Sequence, residues 1–292
     1  MKRAIISADD FGMSIEVNEA VEYAHRHGLL STTSLMVAGQ AAQDAVARAQ
    51  RMPSLRVGLH LVVIEGPAVL SHEQLSLITD THSWFSSSQF WLGVEYFFHP
   101  TARQQLAREI TAQFKAFART GLPLDHANAH KHMHLHPTVG QLMITIGKQY
   151  GLNAIRIPQE PLNPLFHATG IRSESLGNAL LRQWTRLLRY QSHKAGIATN
   201  DWCFGLAWSG HMITDRVAAL ASHLPDGVSE IYFHPATQKN TLLNQLMPTY
   251  EHQAELEALC SEDFKNGFIR SGTQLCGWQD IVYTQQYKKY CN

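Results

Sequence analysis

The chain has 292 residues, with 24 Lys plus Arg against 24 Asp plus Glu and only 16% charged residues. That length builds a large core, as one barrel domain over 1–292 or as two smaller domains. A formal charge of zero supplies no basic face for a phosphate backbone, which excludes nucleic acid as a partner.

Arg3–Ala8 is a short apolar run that ends at Asp9-Asp10-Phe11-Gly12, and Ser14 then caps a helix through about His27. Ser31–Val37 is β-rich, Ala41–Arg51 an Ala-rich helix, and Arg56–Ile64 a third strand. Residues 65–101 read as irregular. Their aromatic-rich segment 82–100 is taken as core, the alternative being a lid that stacks on a sugar or touches a polycyclic lipid. A helix over Ala102–Thr120 leads into a His-rich strand at 124–130 and a helix from Pro137 to about Tyr150, with proline at its first position. Further on, strands at Ala154–Ile157, Trp202–Leu206, Val228–Phe233 and Thr273–Cys276 alternate with helices at Leu176–Ser192, Thr214–His223 and Tyr250–Cys260, followed by a terminal helix. Such alternation predicts βα units and a parallel sheet; seven or eight units fit a TIM-like (β/α) barrel in a single domain.

Five histidines, His126, His130, His132, His134 and His136, fall within eleven residues. Imidazole suits a divalent metal at neutral pH. Strict alternation from 130 to 136 would put four rings on one side of an extended strand. Asp9 and Asp10 close the first strand, His60 lies on the third, and His234 ends a late one, where parallel barrels gather their active sites. One carboxylate and two imidazoles make a common open divalent site. If the chain is extended there, Asp9 and Asp10 point in different directions, so only one need face the metal. Four cysteines (Cys203, Cys260, Cys276, Cys291) without C-x-x-C spacing form neither a disulfide framework nor a zinc knuckle and suit a reducing cytoplasm. No apolar run approaches the roughly 20 residues that span a bilayer. The expectation is a cytoplasmic protein, free to touch the inner membrane surface, with homo-oligomerisation left open.

Ala8-Asp-Asp-Phe-Gly12, Val57-Gly-Leu-His-Leu61, His130-Lys-His-Met-His134 and Phe233-His-Pro235, in that order over most of the chain, resemble the YdjC family of carbohydrate deacetylases, which includes chito-oligosaccharide deacetylases. The resemblance implies a barrel related to polysaccharide deacetylases that hydrolyses the N-acetyl group of an amino sugar with one divalent metal ion, zinc or magnesium. By position it implies metal ligands Asp10, His60 and His130, base Asp9 and general acid His234. Arg156, His132 and His134 are candidate substrate contacts, and Arg156 could instead pair with Asp9 or Asp125. The run from Leu124 to Pro137, with Gly58-Leu-His-Leu-Val-Val-Ile-Glu-Gly66, is similar to the hopanoid-biosynthesis-associated members, whose implied substrate is an N-acetylglucosaminyl hopanoid glycolipid. Many relatives carry Asp where this chain has Asn128, so Asp125 is a candidate replacement or a partner of the ligands. Loops 65–101 and 160–175 are expected to bear on acceptor choice. The competing readings are a chito-oligosaccharide deacetylase, a metal-dependent phosphoesterase, which would use more metals and carboxylates, and a metal-stabilised glycolipid-binding protein without turnover.

Overall fold

Nine parallel strands form one curled sheet: β1 Lys2–Phe11, β2 Thr32–Leu35, β3 Arg56–Leu61, β4 Leu124–Ala129, β5 Ala154–Ile155, β6 Ala198–Thr199, β7 Trp202–Phe204, β8 Gly227–Phe233 and β9 Gln274–Leu275. The computed structural model describes residues 1–161, 163–165 and 176–290; Cys291 and most of the 160–175 loop lie outside it. The strand order is β6-β5-β4-β3-β2-β1-β8-β7, with β9 beside the start of β1. The two ends of this order, β6 and β7, are consecutive in the chain, so the sheet bends round until they meet. Asn200 seals the seam: its amide bonds the N–H and C=O of Ile157 on one side and the carbonyl of Trp202 on the other. The Cys203 N–H then donates to the Gln159 carbonyl at 2.8 Å. This is the TIM-like α/β arrangement that the alternation predicts.

Helices α1 Ile15–His27, α2 Ala42–Gln50, α3 Gln89–Phe98, α4 Pro100–Arg119, α5 Pro137–Gly147, α6 Leu176–Lys194, α7 Thr214–Ser222, α8 Thr241–Leu246, α9 His252–Leu259, α10 Glu262–Ser271 and α11 Trp278–Tyr290 surround the sheet. Ser14 caps α1 as expected, accepting from the Val17 N–H. Strand residues of one parity, such as Ala4, Ile6, Ala8, Ile231 and Phe233, join the large core under these helices. The opposite parity fills the barrel. Ile5, Ala154, Ala198 and Val228 form its floor with Trp278, Ile281 and Val282 of α11. Above the floor the interior turns polar, with Ser7, Asp9, Arg156 and Glu230 all buried. Apolarity on the outer face and at the floor of the inner one is why the strands begin as hydrophobic runs and turn polar only toward their ends.

Two irregularities in register shape what lies above the floor. On β4, Leu124 and Ala127 oppose Val57 and Leu59, so three residues span the space of two. His126 is thereby seated against Gly58, where an added Cβ would come within 2.5 Å of its ring, and its ring stacks on Trp278 at 5.2 Å. On β1 the pairing with β2 slips between Ala8 and Phe11.

Three sequence expectations are corrected. Segment 65–101 is not wholly irregular, since α3 occupies Gln89–Phe98; there Leu92 and Tyr96 are core, but Phe90, Trp91, Phe97 and Phe98 are exposed. Strand β6 and helices α8 and α10 carry too short or too mixed a pattern to be read beforehand. The His-rich run is not extended beyond Ala129: His130–Leu135 coils in 3-10 turns, with Lys131 and His132 left-handed at φ 49° and 54°. The chain must reverse there to enter α5, and Pro137 holds His136 extended just before it. The four rings therefore point to four different places.

Candidate metal centre

Asp10 sits at φ 65°, a strained conformation for a non-glycine residue, inside the slip between β1 and β2. The turn is fixed by the Met13 N–H donating to the Asp10 carbonyl and by Asn18 Oδ1 accepting from the Gly12 N–H. An extended strand would send Asp9 and Asp10 to opposite faces. This bulge turns both carboxylates into the barrel.

Asp10, His60 and His130 are buried together, with ligand atoms all within 4.8 Å of one another. Asp10 Oδ1 lies 3.2 Å from His60 Nε2 and 3.2 Å from His130 Nδ1, and the two imidazole nitrogens are 3.4 Å apart. Asp10 Oδ2 is buried without a hydrogen-bond partner among the described residues. Burial works against ionisation of Asp10, but hydrogen bonds from His130 and His60 hold its carboxyl well below the usual range. Burial likewise opposes charge on His60, and its contacts with Asp10 and Asp9 more than reverse that, raising its pKa. On the far side of the ring, His60 Nδ1–H donates to Asn128 Oδ1 at 2.7 Å, so Nε2 is the nitrogen that faces Asp10 and, on losing its proton, would offer a lone pair to a cation. Asn128 stands opposite His60 in the β3–β4 register.

Asp9 accepts from Ser34 Oγ at 3.0 Å, Asn128 Nδ2 at 2.9 Å, Arg156 Nη1 at 2.5 Å and Arg156 Nη2 at 2.9 Å. Burial alone would raise its pKa, but the Arg156 guanidinium keeps it far below the carboxylate range. Arg156 is itself fully buried, with Nε and Nη2 held by Glu230 and its plane 4.5 Å over the Tyr232 ring. Asp9 and Glu230 thus share the one guanidinium, and Asp10 is left with the two imidazoles alone. A divalent cation among Asp10, His60 and His130 would balance the Asp10 charge and satisfy its orphaned Oδ2, so the residues fit such an ion.

The remaining histidines divide. The His132 Nε2 is hydrogen-bonded to the Tyr232 hydroxyl at 3.0 Å, and burial, with Arg156 nearby, holds its pKa well below normal. His134 is wholly buried, donates Nε2–H to the Arg156 carbonyl at 3.0 Å, and has its pKa pushed down by burial to about 3. His136 Nε2–H donates to the Gly93 carbonyl of α3. His234 follows β8; its N–H donates to Glu255 Oε2 and its carbonyl accepts from His252 Nδ1 at 2.6 Å. Its ring stands between Tyr232 and Tyr250, at 5.5 and 5.1 Å, and burial lowers its pKa to about 4 despite Asp10 and Asp9 nearby.

Asp9, Asp10, His60, His130 and His234 therefore share one end of the barrel, as their strand-end positions imply. Arg156 realises the salt bridge with Asp9, not the one with Asp125. Neither Arg156 nor His134 has surface for a substrate, because both are sealed beneath the site. Asp125 accepts from Thr32 Oγ1 and pairs with His126, lower in the barrel, so it does not stand in for Asn128. Sequence reasoning passed over Ser34, Glu230, Tyr232, Tyr250 and Glu255. Ser229-Glu230 inside the otherwise apolar β8 was the available signal. Cys203 is buried, which raises its pKa well above normal and speaks against a role as a nucleophile.

A family model described as YdjC-like protein matches residues 3–269. A carbohydrate deacetylase of Vibrio parahaemolyticus serotype O3:K6 is 30% identical over 285 residues, covering 97% of this chain and 98% of that protein. Another from Vibrio cholerae serotype O1 is 35% identical over 149 residues, 51% of this chain, so the match spans only 56% of that relative's length. Among solved structures, an Enterococcus faecalis protein with a provisional role in cellobiose-phosphate cleavage superposes with a TM-score of 0.74 at 20% identity, over 96% of this chain and 98% of its own. At that identity the superposition speaks for the fold alone. Motif order, sheet and matched length agree, and the chain belongs to the YdjC-like protein family.

Proposed function

We propose that this protein is a metal-dependent hydrolase that removes the N-acetyl group from an N-acetylglucosamine-containing substrate, an N-acetylglucosaminyl hopanoid glycolipid, and releases acetate. The convergence of Asp10 Oδ1, His60 Nε2 and His130 Nδ1 within hydrogen-bonding range of one another carries the reading. The carbohydrate deacetylases among its relatives support the reaction class, and the resemblance of the strings around His60 and His130 to the hopanoid-associated members favours the glycolipid.

A divalent cation held by Asp10, His60 and His130 supplies Lewis acidity toward a carbonyl and lowers the pKa of water. Asp9 is the base. Its Oδ2, bound by Arg156 Nη1, keeps a lone pair for the proton of the attacking water, while Ser34, Asn128 and Arg156 fix its direction. Water oxygen bonds to the acetamide carbon, the C–N bond breaks, and the amine leaves with a proton. His234 donates that proton. With a pKa near 4 its ring is neutral at pH 7 in the free protein, so the proton it passes to the amine is the one that Asp9 takes from the attacking water, which returns both groups to their starting states. His132, tied to Tyr232 at the same end, is the sugar-contacting candidate.

The test is acetate release from an N-acetylglucosaminyl hopanoid and from diacetylchitobiose, using metal-stripped and metal-reloaded protein. Metal-dependent release from the hopanoid is expected. Release from diacetylchitobiose alone would replace the substrate, and binding without release from either would leave a binding protein.

A further inference from the structure

Helix α3 carries an apolar stripe on its outward face. Phe90 is 71% exposed, Trp91 66%, Phe97 42% and Phe98 74%, at the i, i+1, i+7, i+8 spacing of one helix face. Glu95 is the one charged residue between Trp84 and Pro100, and serines 86–88 precede the helix. The inward face is anchored: Tyr96 donates its hydroxyl to the Val63 carbonyl, and His136, six residues beyond ligand His130, bonds Gly93. This fixes α3 to the rim on which the metal centre opens. A groove of about 570 Å³ runs beneath the same segment, lined by Glu65, Asp80, Trp84, Phe85 and Leu92 among others. Glu65 pairs with Lys131, the neighbour of His130.

We infer that α3 docks this rim onto a lipid bilayer surface, lying in the interface with Phe90, Trp91, Phe97 and Phe98 among the headgroups. Tryptophan and phenylalanine on one helix face, serines at its start and a near-absence of charge compose an interfacial helix. Exposed Arg103 follows on α4, five residues past Phe98, and supplies a cation close in sequence to the stripe. A second protein chain would be expected to meet charged or hydrogen-bonding rim residues around such a patch, and α3 offers only Glu95. The groove would receive a lipid-borne sugar from that surface, a consequence that rests on the glycolipid reading; the docking itself does not.

The experiment is co-sedimentation with phosphatidylcholine vesicles, with and without phosphatidylglycerol, for the full chain and for a variant combining Phe90→Ser, Trp91→Ser, Phe97→Ser and Phe98→Ser. Wild-type protein should sediment with vesicles, more with phosphatidylglycerol, and the variant at least about tenfold less. Its circular dichroism melt and its turnover of a soluble N-acetylated amino sugar should match wild type. Quenching of wild-type fluorescence by bromo-lipids, reduced in Trp91→Phe, would place α3 itself at the bilayer. Wild-type protein that stays in the supernatant, or a variant that sediments equally, would overturn the proposal. So would a dimer that the variant dissolves with no vesicle binding by wild type. Loss of soluble turnover in wild type would count against the deacetylase reading and leave the docking result intact.

Discussion

Asn128 Oδ1 lies 2.7 Å from His60 Nδ1, and this contact, with Ser34 Oγ at 3.1 Å from the same nitrogen, turns the other imidazole nitrogen toward Asp10. The other amide atom of Asn128 donates to Asp9, so one side chain orients both the proposed ligand His60 and the proposed base Asp9. Asn128→Ala is expected to weaken divalent-metal affinity about 10- to 100-fold and to lower turnover further at saturating metal, because Asp9 also loses a partner. Calorimetric metal titration beside acetate-release kinetics checks it; unaltered affinity would remove Asn128 from this role.

Asp10→Asn keeps the shape of the side chain and tolerates the left-handed backbone, removing only the charge. Metal retention and activity should fall together, as they should in His130→Ala. Elemental analysis after gel filtration measures the first and acetate release the second. Full activity in a metal-free Asp10→Asn preparation would contradict the assignment.

Asp9→Asn should leave the metal in place and slow turnover about 10²- to 10⁴-fold, the usual worth of a positioned base. A binding protein without turnover would be indifferent to this change in its affinity for acetylated glycolipid.

Arg156→Met strands Asp9 and Glu230 in a site with no solvent exposure at the arginine. The expected loss is about 3–5 kcal/mol of stability, read by urea unfolding. Arg156→Lys should recover only part of it, since a point charge cannot repeat the paired contacts. A loss under about 1 kcal/mol would mean that the network carries little.

Burial raises Glu255 from an ordinary 4.5 to about 7, against hydrogen bonds from the His234 and Met212 N–H groups, and Glu160 is likewise raised by burial to about 7. Between those pH values the folded protein binds protons that the unfolded chain has released. The stabilisation from these two carboxyls is therefore fully present below pH 4.5 and is lost as pH rises through 7, up to roughly 3 kcal/mol each, while buried His132, His134 and His234, neutral in the folded protein, add stability with rising pH over much of the same interval. Asp9 and Asp10 are shifted the other way and act only at lower pH. Glu255→Gln removes that group's contribution, so in pH-resolved unfolding its stability should rise more steeply between pH 4.5 and 7 than that of wild type; an unchanged slope would rule Glu255 out.

What the sequence disclosed follows from the range of the forces involved. Parallel strands sheathed on both faces announce themselves as apolar runs, and chemistry-bearing residues at their ends had to meet, so Asp10, His60 and His130 were legible although 50 and 70 residues apart. The fate of His132, His134 and His136 was not. Alternation assumes an extended chain, and two consecutive left-handed residues at 131 and 132 undo it. Nor does spacing reveal a bulge, which is why Asp9 and Asp10 could not both be aimed inward beforehand. Aromatics on α3 read as core because hydrophobicity says that a face will be covered, not by what.

Gly58 has no side chain, yet it governs how close β3 and β4 can stand two residues below His60. A methyl group there would collide with the His126 ring, which Trp278 backs from below and which has no room to retreat. Prising the strands apart at that level would lift His60 away from Asn128 across the same ladder. The spacing of Asp10, His60 and His130 is thus gauged from underneath by the thickness of an imidazole, and even Gly58→Ala should be felt as a misfit among three side chains that it never touches.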